Sequence, residues 1–229
     1  MCDLFANVLD FKTVSLKFDN SELLDINNVS IKNGDKLLTI SNHSFNSKNS
    51  VLIFLNEVIN IKEQCFIIYK SHQITANYYK LFASYQFNNR YYYDGDLGLY
   101  YTPEYSTFTL WSPAAKSVNL LIYENGDTSI YETPQEFKME EIDSVWTITI
   151  PHDLKGKFYN YKVTVYGNTN IVIDPYAKAV GVNGLRGAII DFRESTPPNW
   201  NNDNFVKLSN YTDAIIYEAS ENCTTPVWT

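Results

Sequence analysis

The first stretch of the chain, residues 1–90, alternates between short apolar runs and polar segments. Residues 14–18 place apolar and polar side chains in turn, the period of two that is typical of a half-buried strand. Continuous apolar runs at 37–40, 51–55 and 65–69 are typical of buried strands. The Asn- and Ser-rich segment 42–50 predicts a loop, because such side chains bond to their own backbone in turns. We therefore predict a small all-β domain over residues 1–90.

Residues 91–195 carry a second group of strand signals. In the segment 158–166, Lys162 lies on one face of the predicted strand. The apolar and aromatic side chains lie on the other face: Tyr159, Tyr161, Val163 and Val165. Strands spaced by roughly 8–12 residues, with turn signals between them, are typical of a β-sandwich. We predict a second, immunoglobulin-like sandwich here, so that the fold class is all-β with two sandwich-like domains. Its strand signals lie at 107–111, 118–123, 146–150, 158–166 and 170–173.

The last part of the chain, residues 196–229, has a different composition. The Pro-Pro pair at 197–198 and the Asn- and Asp-rich stretch after it are typical of a linker. Residues 213–218 form a short apolar run, which is typical of a strand buried in a parallel sheet. We therefore predict a linker followed by one isolated strand.

The charge and the cysteines exclude several classes of function. The net charge is −8, and an acidic chain without clustered Lys and Arg makes poor contacts with nucleic acid or with anionic membranes. A neutral polysaccharide is compatible with this charge. Cys2, Cys65 and Cys223 are widely spaced and form neither a disulfide framework nor a metal-binding pattern. The first residues lack the features of a secretory signal, so we expect a cytoplasmic protein.

The aromatic content is high, at 15% of 229 residues. Two interpretations compete: aromatic side chains suit the pleated core of a sheet, and flat rings also stack on the faces of sugars. We favour the core interpretation.

No constellation for metal or phosphate chemistry stands out. The DGD segment at 94–96 lacks the further oxygen ligands of a calcium loop and predicts a turn. His43, His72 and His152 have no paired ligand at metal-binding spacing. The segment 181–187 is Gly-rich, but no helix pattern follows it. We therefore predict no cofactor and no metal site.

A series of motifs gives the chain a family resemblance. They are YYDGDLG (92–98), YTP (101–103), FTLWSPAA (108–115), VNL (118–120), DLKGKFYNYKV (153–163), DPYAKAVGVNG (174–184) and DAIIYE (213–218). In this order they resemble the type I pullulanases, members of glycoside hydrolase family 13. The resemblance covers residues 91–218 and is tightest at 174–184 and 213–218.

This resemblance implies a domain order. Residues 91–195 are expected to be a sandwich similar to carbohydrate-binding module family 48, and residues 1–90 the additional N-terminal β domain of such pullulanases. Residues 213–218 are expected to be the first strand of a catalytic (β/α)₈ barrel. Because the segment after Glu218 departs from the family's pattern, we expect the chain to be truncated before the barrel. Glycoside hydrolysis needs two carboxylates and Glu218 is one, so no catalytic residue is assigned and the chain is predicted inactive alone.

The resemblance also implies a glucan site of tryptophans and a lysine on one sheet face. Lys162 matches that lysine, whereas Ile171 stands where family members carry a tryptophan and no tryptophan follows Asn125. Trp111 and Trp146 complete the candidate carbohydrate-binding residues, although the strand pattern places Trp146 on a core face and Trp111 near a domain interface. We favour a module that packs against its enzyme over one that binds glucan by itself.

On these grounds we expect the N-terminal, non-catalytic portion of a pullulanase-like enzyme. The family hydrolyses α-1,6-glucosidic bonds in glycogen- or starch-like glucans. The alternative is a stand-alone α-glucan-binding protein. The expected partner is an α-glucan polysaccharide, bound weakly or through the missing barrel, and neither nucleic acid nor a membrane is expected.

Overall fold

Nearly all the regular structure is antiparallel β-strand. The computed structural model describes residues 4–18, 25–70, 72–202 and 208–216. Within these ranges it contains 17 strands and two short α-helices, α1 (Tyr79–Phe82) and α2 (Tyr85–Arg90). The predicted all-β class is therefore confirmed. Neither helix is long enough to cross a membrane, and the described residues contain no other candidate.

Eight strands form the first β-sandwich: β1 (Leu4–Asp10), β2 (Thr13–Phe18), β3 (Val29–Asn33), β4 (Lys36–Leu38), β5 (Ile40–Ser47), β6 (Ser50–Leu55), β7 (Cys65–Tyr69) and β8 (His72–Thr75). They pair into two four-stranded sheets with the orders β1-β2-β6-β5 and β4-β3-β7-β8. The strands predicted at 14–18, 51–55 and 65–69 correspond to β2, β6 and β7. The run at 37–40 overlaps β4.

The core of the first sandwich lies between its two sheets. Leu16 and Ile53 enter it from one sheet, and Ile31 and Ile67 enter it from the other; all four are fully buried. In β3 and β7 buried residues alternate with half-buried ones, as the two-residue period of a strand requires. Burying one such side chain contributes about 1.5–3 kcal/mol, so this alternation stabilises the pairing of the sheets.

The polar segment 42–50, predicted as a loop, is mostly strand. β5 pairs with β6, and only residues 48–49 form the turn between them. β5 lies at the edge of its sheet, and its residues after Ile40 are exposed. The backbone hydrogen bonds of the ladder do not depend on side-chain polarity, and a strand that faces solvent needs no apolar face. The tertiary position of the segment therefore overrides its local preference for turns.

Nine strands form the second sandwich: β9 (Gly98–Tyr101), β10 (Ser106–Trp111), β11 (Ser117–Tyr123), β12 (Gln135–Lys138), β13 (Glu140–Ile142), β14 (Val145–Ile150), β15 (Phe158–Val165), β16 (Asn168–Val172) and β17 (Gly187–Ala188). One sheet has the order β13-β14-β10-β9; the other has the order β12-β11-β15-β16, with β17 also paired to β15. All five strands predicted in this region are confirmed. The other four, β9, β12, β13 and β17, were not predicted; each has at most four residues, so its sequence pattern is weak.

Aromatic side chains join the two sandwiches. Tyr166, in the turn between β15 and β16, stacks on Tyr78 of the first sandwich with ring centroids 5.3 Å apart. The ring centroids of Trp111 and of Phe87 in α2 lie 6.2 Å apart. Tyr166 and Gly167 both have positive φ angles, 52° and 79°, as a type I′ hairpin turn requires. A positive φ costs a non-glycine residue about 1–3 kcal/mol, so the ring contact across the junction offsets local strain.

Residues 192–229 separate from the first 191 residues as a compact unit of their own. Here Tyr211–Asp213 is a 3₁₀ turn. Residues 214–216 form no strand, and Ile215 and Ile216 are 98% and 89% exposed. A strand needs a neighbour for its backbone hydrogen bonds, and the described residues provide none for this segment. The predicted barrel strand is therefore absent from 213–216, and the rest of it, with the tail to Thr229, lies outside the described residues.

The two apolar cores fall on either side of the predicted boundary at 90/91. The compact units divide at 191/192 rather than at 195/196. The domain boundaries themselves stay predictions.

Candidate functional site

Lys162 stands on the outer face of the β12-β11-β15-β16 sheet. Its register partners are Asn119 in β11 and Ile171 in β16. The ammonium group donates to both carboxylate oxygens of Glu136, at 3.0 and 3.2 Å, and both side chains are 39% exposed. An exposed pair of this kind contributes little to stability. Lys162 can therefore exchange Glu136 for a ligand hydroxyl at small cost.

Ile171 completes a small cluster on this face, which we call the sheet-face cluster: Asn119, Glu136, Lys162 and Ile171. Ile171 is 58% exposed, and it offers an apolar surface but no planar ring. Hydrogen bonds from Asn119 and from Lys162 hold the pKa of Glu136 below its usual range. The cluster therefore carries an ionised carboxylate, an ammonium group and an amide beside an apolar side chain.

The two candidate tryptophans lie on the other sheet. Trp146 is 4% exposed in the second core, and its indole N–H donates to the backbone oxygen of Ser112 at 3.1 Å. Trp111 is partly buried against the first core, and its indole N–H donates to the backbone oxygen of Tyr91 at 2.9 Å. One ring is enclosed and the other faces the neighbouring sandwich. The tryptophans and Lys162 thus do not share a sheet face, and of the three candidate carbohydrate-binding residues only Lys162 lies in the sheet-face cluster.

The motif at 174–184 is held by a buried carboxylate. Asp174 is 2% exposed and accepts hydrogen bonds from the hydroxyls of Tyr159 at 2.7 Å and Tyr161 at 3.5 Å. It also accepts from the backbone N–H of Tyr176 at 2.9 Å. Burial, and then the charge of Asp174, raise the pKa of Tyr159, so this hydroxyl stays a donor. The most specific part of the motif therefore has a structural role.

A close backbone approach links this motif to the one at 92–98. Gly98 has a φ of 87°, and a β-carbon at this position would lie 2.8 Å from the β-carbon of Tyr176. Only glycine combines that φ with this contact. The DGDLG segment thus ends in a glycine that the DPY segment requires.

A buried ion pair that the sequence did not single out joins two loops. Arg186 donates to the carboxylate of Glu132 and to the backbone oxygen of Asn125, both at 2.5 Å. The two charged side chains are only 8% and 14% exposed, and the guanidinium lies 3.7 Å from the ring centroid of Tyr123. Burial alone raises the pKa of Glu132, but hydrogen bonds from the backbone N–H groups of Glu124 and Asn125 and from Arg186 hold it below its usual range. The sequence signal was a lone arginine inside the conspicuous 181–187 segment.

The other chemical candidates have ordinary surroundings. The DGD segment at 94–96 lies in an irregular stretch before β9, and His43 in β5 packs edge-on against Phe45 at 5.4 Å. The only helical structure in the segment 181–187 is a three-residue 3₁₀ turn, Val182–Gly184, and β17 begins at Gly187. Among the described residues no group of His, Cys, Asp and Glu is arranged to hold a metal. Burial raises the pKa of the Cys65 thiol to about 12, and Cys2 and Cys223 lie outside the described residues.

Comparison with known proteins shows which proteins this chain is similar to. Residues 96–177 match the family model described as carbohydrate-binding module 48 (isoamylase N-terminal domain). The pullulanase of Bacillus subtilis (strain 168) is 32% identical over 137 residues, which cover 58% of this chain and 17% of that protein. The chain is similar to the N-terminal region of type I pullulanases. The resemblance inferred from the motifs is thereby confirmed.

Solved pullulanase structures share the fold. The pullulanase from Bacillus acidopullulyticus superposes with a TM-score of 0.77 over 94% of this chain and 40% of that chain, at 18% identity. The pullulanase from Paenibacillus barengoltzii, solved in complex with maltohexaose and α-cyclodextrin, is 42% identical with a TM-score of 0.53, over 60% of this chain and 21% of that chain. This chain therefore spans less than half of the length of each of these three pullulanases.

Proposed function

We propose that this chain is a non-catalytic part of a pullulanase-like debranching enzyme and that it contacts the α-glucan substrate. The observation that carries the proposal is the match of residues 96–177 to carbohydrate-binding module 48. The matched segment includes eight of the nine strands of the second sandwich, β9 to β16, and carries an exposed lysine, Lys162, on a sheet face. The pullulanase-like enzyme itself is proposed to hydrolyse α-1,6 branch points in starch- or glycogen-like glucans. A cytoplasmic location stays a prediction.

The ionisation of the carboxyl groups agrees with a non-catalytic role. A glycosidase needs a general acid whose pKa is raised, so that it holds a proton at neutral pH. Five carboxyl groups in the described ranges have a pKa that is lowered instead: Glu57, Asp127, Glu132, Glu136 and Asp153. Each accepts hydrogen bonds from backbone N–H groups or from neighbouring side chains, which favour the charged form.

Two measurements on the purified chain test this proposal. Incubation with pullulan is expected to release no reducing ends above a protein-free blank. Electrophoresis through a gel that contains amylopectin is expected to retard the chain relative to an inert protein of similar mass. Release of reducing ends would show that the chain hydrolyses glucan, and absence of retardation would show that it does not contact glucan by itself.

The second candidate function is a stand-alone α-glucan-binding protein. The observation in its favour is the exposed, exchangeable ammonium group of Lys162. If the module binds glucan through this face, Lys162→Ala reduces retardation in the amylopectin gel. Lys48→Ala, which removes an exposed lysine from the first sandwich, is the matched control and is expected to leave retardation unchanged.

A further inference from the structure

An aromatic groove lies at the junction of the two sandwiches, on elements that the family motifs do not include. Residues of the first sandwich between Gln64 and Phe82, together with Tyr166 of the second, line a volume of about 450 Å³. Small-ligand sites usually have volumes of ~300–1,000 Å³. The groove is therefore large enough to hold a ligand and is built by both sandwiches.

Stacked rings form the apolar wall of this junction groove. The ring of Tyr78 stacks on two others. Its centroid lies 5.6 Å from that of Phe82, with the ring planes 18° apart, and 5.3 Å from that of Tyr166, with the planes 16° apart. Tyr78 is 4% exposed and fixed in place, since its hydroxyl donates to the backbone oxygen of Glu63 at 2.8 Å. The neighbouring Tyr79 also lines the groove and is 75% exposed. The groove thus has a rigid aromatic wall and an accessible tyrosine.

The polar groups of the groove are neutral. Gln64, Thr75 and Asn77 contribute amide and hydroxyl groups. The side-chain oxygen of Asn77 accepts from the backbone N–H of Tyr79 at 2.7 Å, which leaves its NH₂ group as a donor. The hydroxyl of Tyr166 is buried and has no hydrogen-bond partner among the described residues. No side chain in the lining carries a charge, although the chain as a whole has a net charge of −8.

We propose that this junction groove binds a segment of α-glucan. A neutral polyhydroxylated ligand fits the lining, because its C–H faces pack on the exposed ring of Tyr79 and its hydroxyls bond to side-chain amide and hydroxyl groups. A charged ligand would find no counter-charge here. The inference rests on the proposed contact with glucan and assigns it to a surface separate from the sheet-face cluster.

The test measures binding of maltohexaose to the full chain by isothermal titration calorimetry, with cellohexaose as the β-linked control. Tyr79→Ala is expected to weaken maltohexaose binding by ~10-fold or more, since tyrosine is enriched among the residues that carry most of the binding energy of an interface. Tyr79→Phe keeps the ring and is expected to restore most of the affinity. Tyr85→Ala removes an equally exposed tyrosine (79%) outside the groove and is expected to bind like the parent chain.

The outcomes separate the groove from the broader function. If maltohexaose binds but Tyr79→Ala leaves its affinity unchanged while Lys162→Ala weakens it, glucan contact stands and the groove proposal is wrong. If the parent chain binds no maltohexaose, both the groove and the proposed contact with glucan fail. Sedimentation without glucan adds one further outcome: a concentration-dependent dimer that Tyr79→Ala abolishes would assign the groove to self-association instead.

Discussion

At the residue scale, Asp174 shows that a residue of a family motif can have a structural role and need not bind a ligand. It lies in the most recognisable segment of the sequence, yet its carboxylate is buried and accepts from two core tyrosines and one backbone N–H. A buried carboxylate is costly unless it is fully hydrogen-bonded, and these three donors meet that requirement. Lys162 is the opposite case, because its charge stays exposed and its partner Glu136 is replaceable.

Asp174→Ala is expected to lower the free energy of unfolding by about 2–4 kcal/mol. The change leaves the hydroxyls of Tyr159 and Tyr161 buried without an acceptor, and each orphaned group costs about 1–3 kcal/mol. Urea unfolding followed by tryptophan fluorescence measures the loss. Asp153→Ala is the matched control: Asp153 accepts from Tyr101 and from the backbone N–H of Lys155 on the surface, and its loss is expected to change the free energy of unfolding much less than the loss of Asp174 does. Equal effects of the two substitutions would contradict the role of Asp174.

At the scale of elements, two loops of the second sandwich are held together by an ion pair and a backbone hydrogen bond. The loop after β11 and the loop before β17 meet through the Arg186–Glu132 pair and through the backbone bond from Val182 to Gly126, at 3.0 Å. A β-carbon on Gly181 would approach the backbone of Gly126 to 2.6 Å, so the loops touch without intervening side chains. Two polar loops are thereby fixed over one end of the sheet that carries Lys162.

Glu132→Gln is expected to destabilise the fold at pH 7 by about 1–3 kcal/mol, the usual worth of hydrogen bonds to a charged group. The folded-state pKa of Glu132 is lowered from 4.5, so its ionised form contributes stability above that value. This contribution is lost as the pH falls through the lower, folded-state pKa. The difference between the parent chain and the variant should therefore shrink on acidification below 4.5.

The matched control for this pH dependence is Glu136→Gln. Glu136 also pairs with a cation and also has a lowered pKa, but its pair is exposed and contributes little. The free energy of unfolding of the Glu136→Gln variant should differ from that of the parent chain by less than about 1 kcal/mol at pH 7. A gap for Glu132→Gln that does not change with pH would show that the stabilisation is not ionic.

At the scale of the whole molecule, the junction of the sandwiches is its least predictable part. Besides the stacked rings, Lys116 pairs with Glu63 at 2.8 Å, and Lys62 pairs with Glu141 and lies 5.6 Å from the ring centroid of Trp146. Residues from both sandwiches take part in every one of these contacts. They hold the sandwiches together in the compact unit that ends at Asp191, and the stacked rings also line the junction groove.

Tyr166→Ala is expected to lower the free energy of unfolding by about 1–3 kcal/mol. It deletes a partly buried ring that stacks on Tyr78, and truncation of a fully buried aromatic costs about 3–5 kcal/mol. Tyr131→Ala, at a tyrosine that is 93% exposed, is expected to stay within about 0.5 kcal/mol of the parent chain. Chemical denaturation measures the free energy of unfolding of both variants. If the Tyr166 variant is as stable as the Tyr131 variant, the ring of Tyr166 does not hold the junction.

The sequence by itself determined the strands whose apolar positions alternate or run continuously. β2, β6, β7, β10, β11, β14, β15 and β16 are confirmed because their local pattern and their buried faces agree. The order of motifs also determined the resemblance to pullulanases, and two motif residues have structural roles: Gly98 makes room for Tyr176, and Asp174 accepts from buried tyrosines.

Only the tertiary structure decided which side chains meet. β5 is a strand because β6 offers it a ladder, although its composition favours a loop. The predicted strand at 213–218 forms no ladder in its described part, since the described residues offer it no neighbouring strand. Trp111 and Lys162 lie on different sheets, and Tyr79 and Tyr166 line one groove although they are far apart in the chain. Local pattern fixes the face of a strand, whereas pairing and packing between distant segments fix what that face meets.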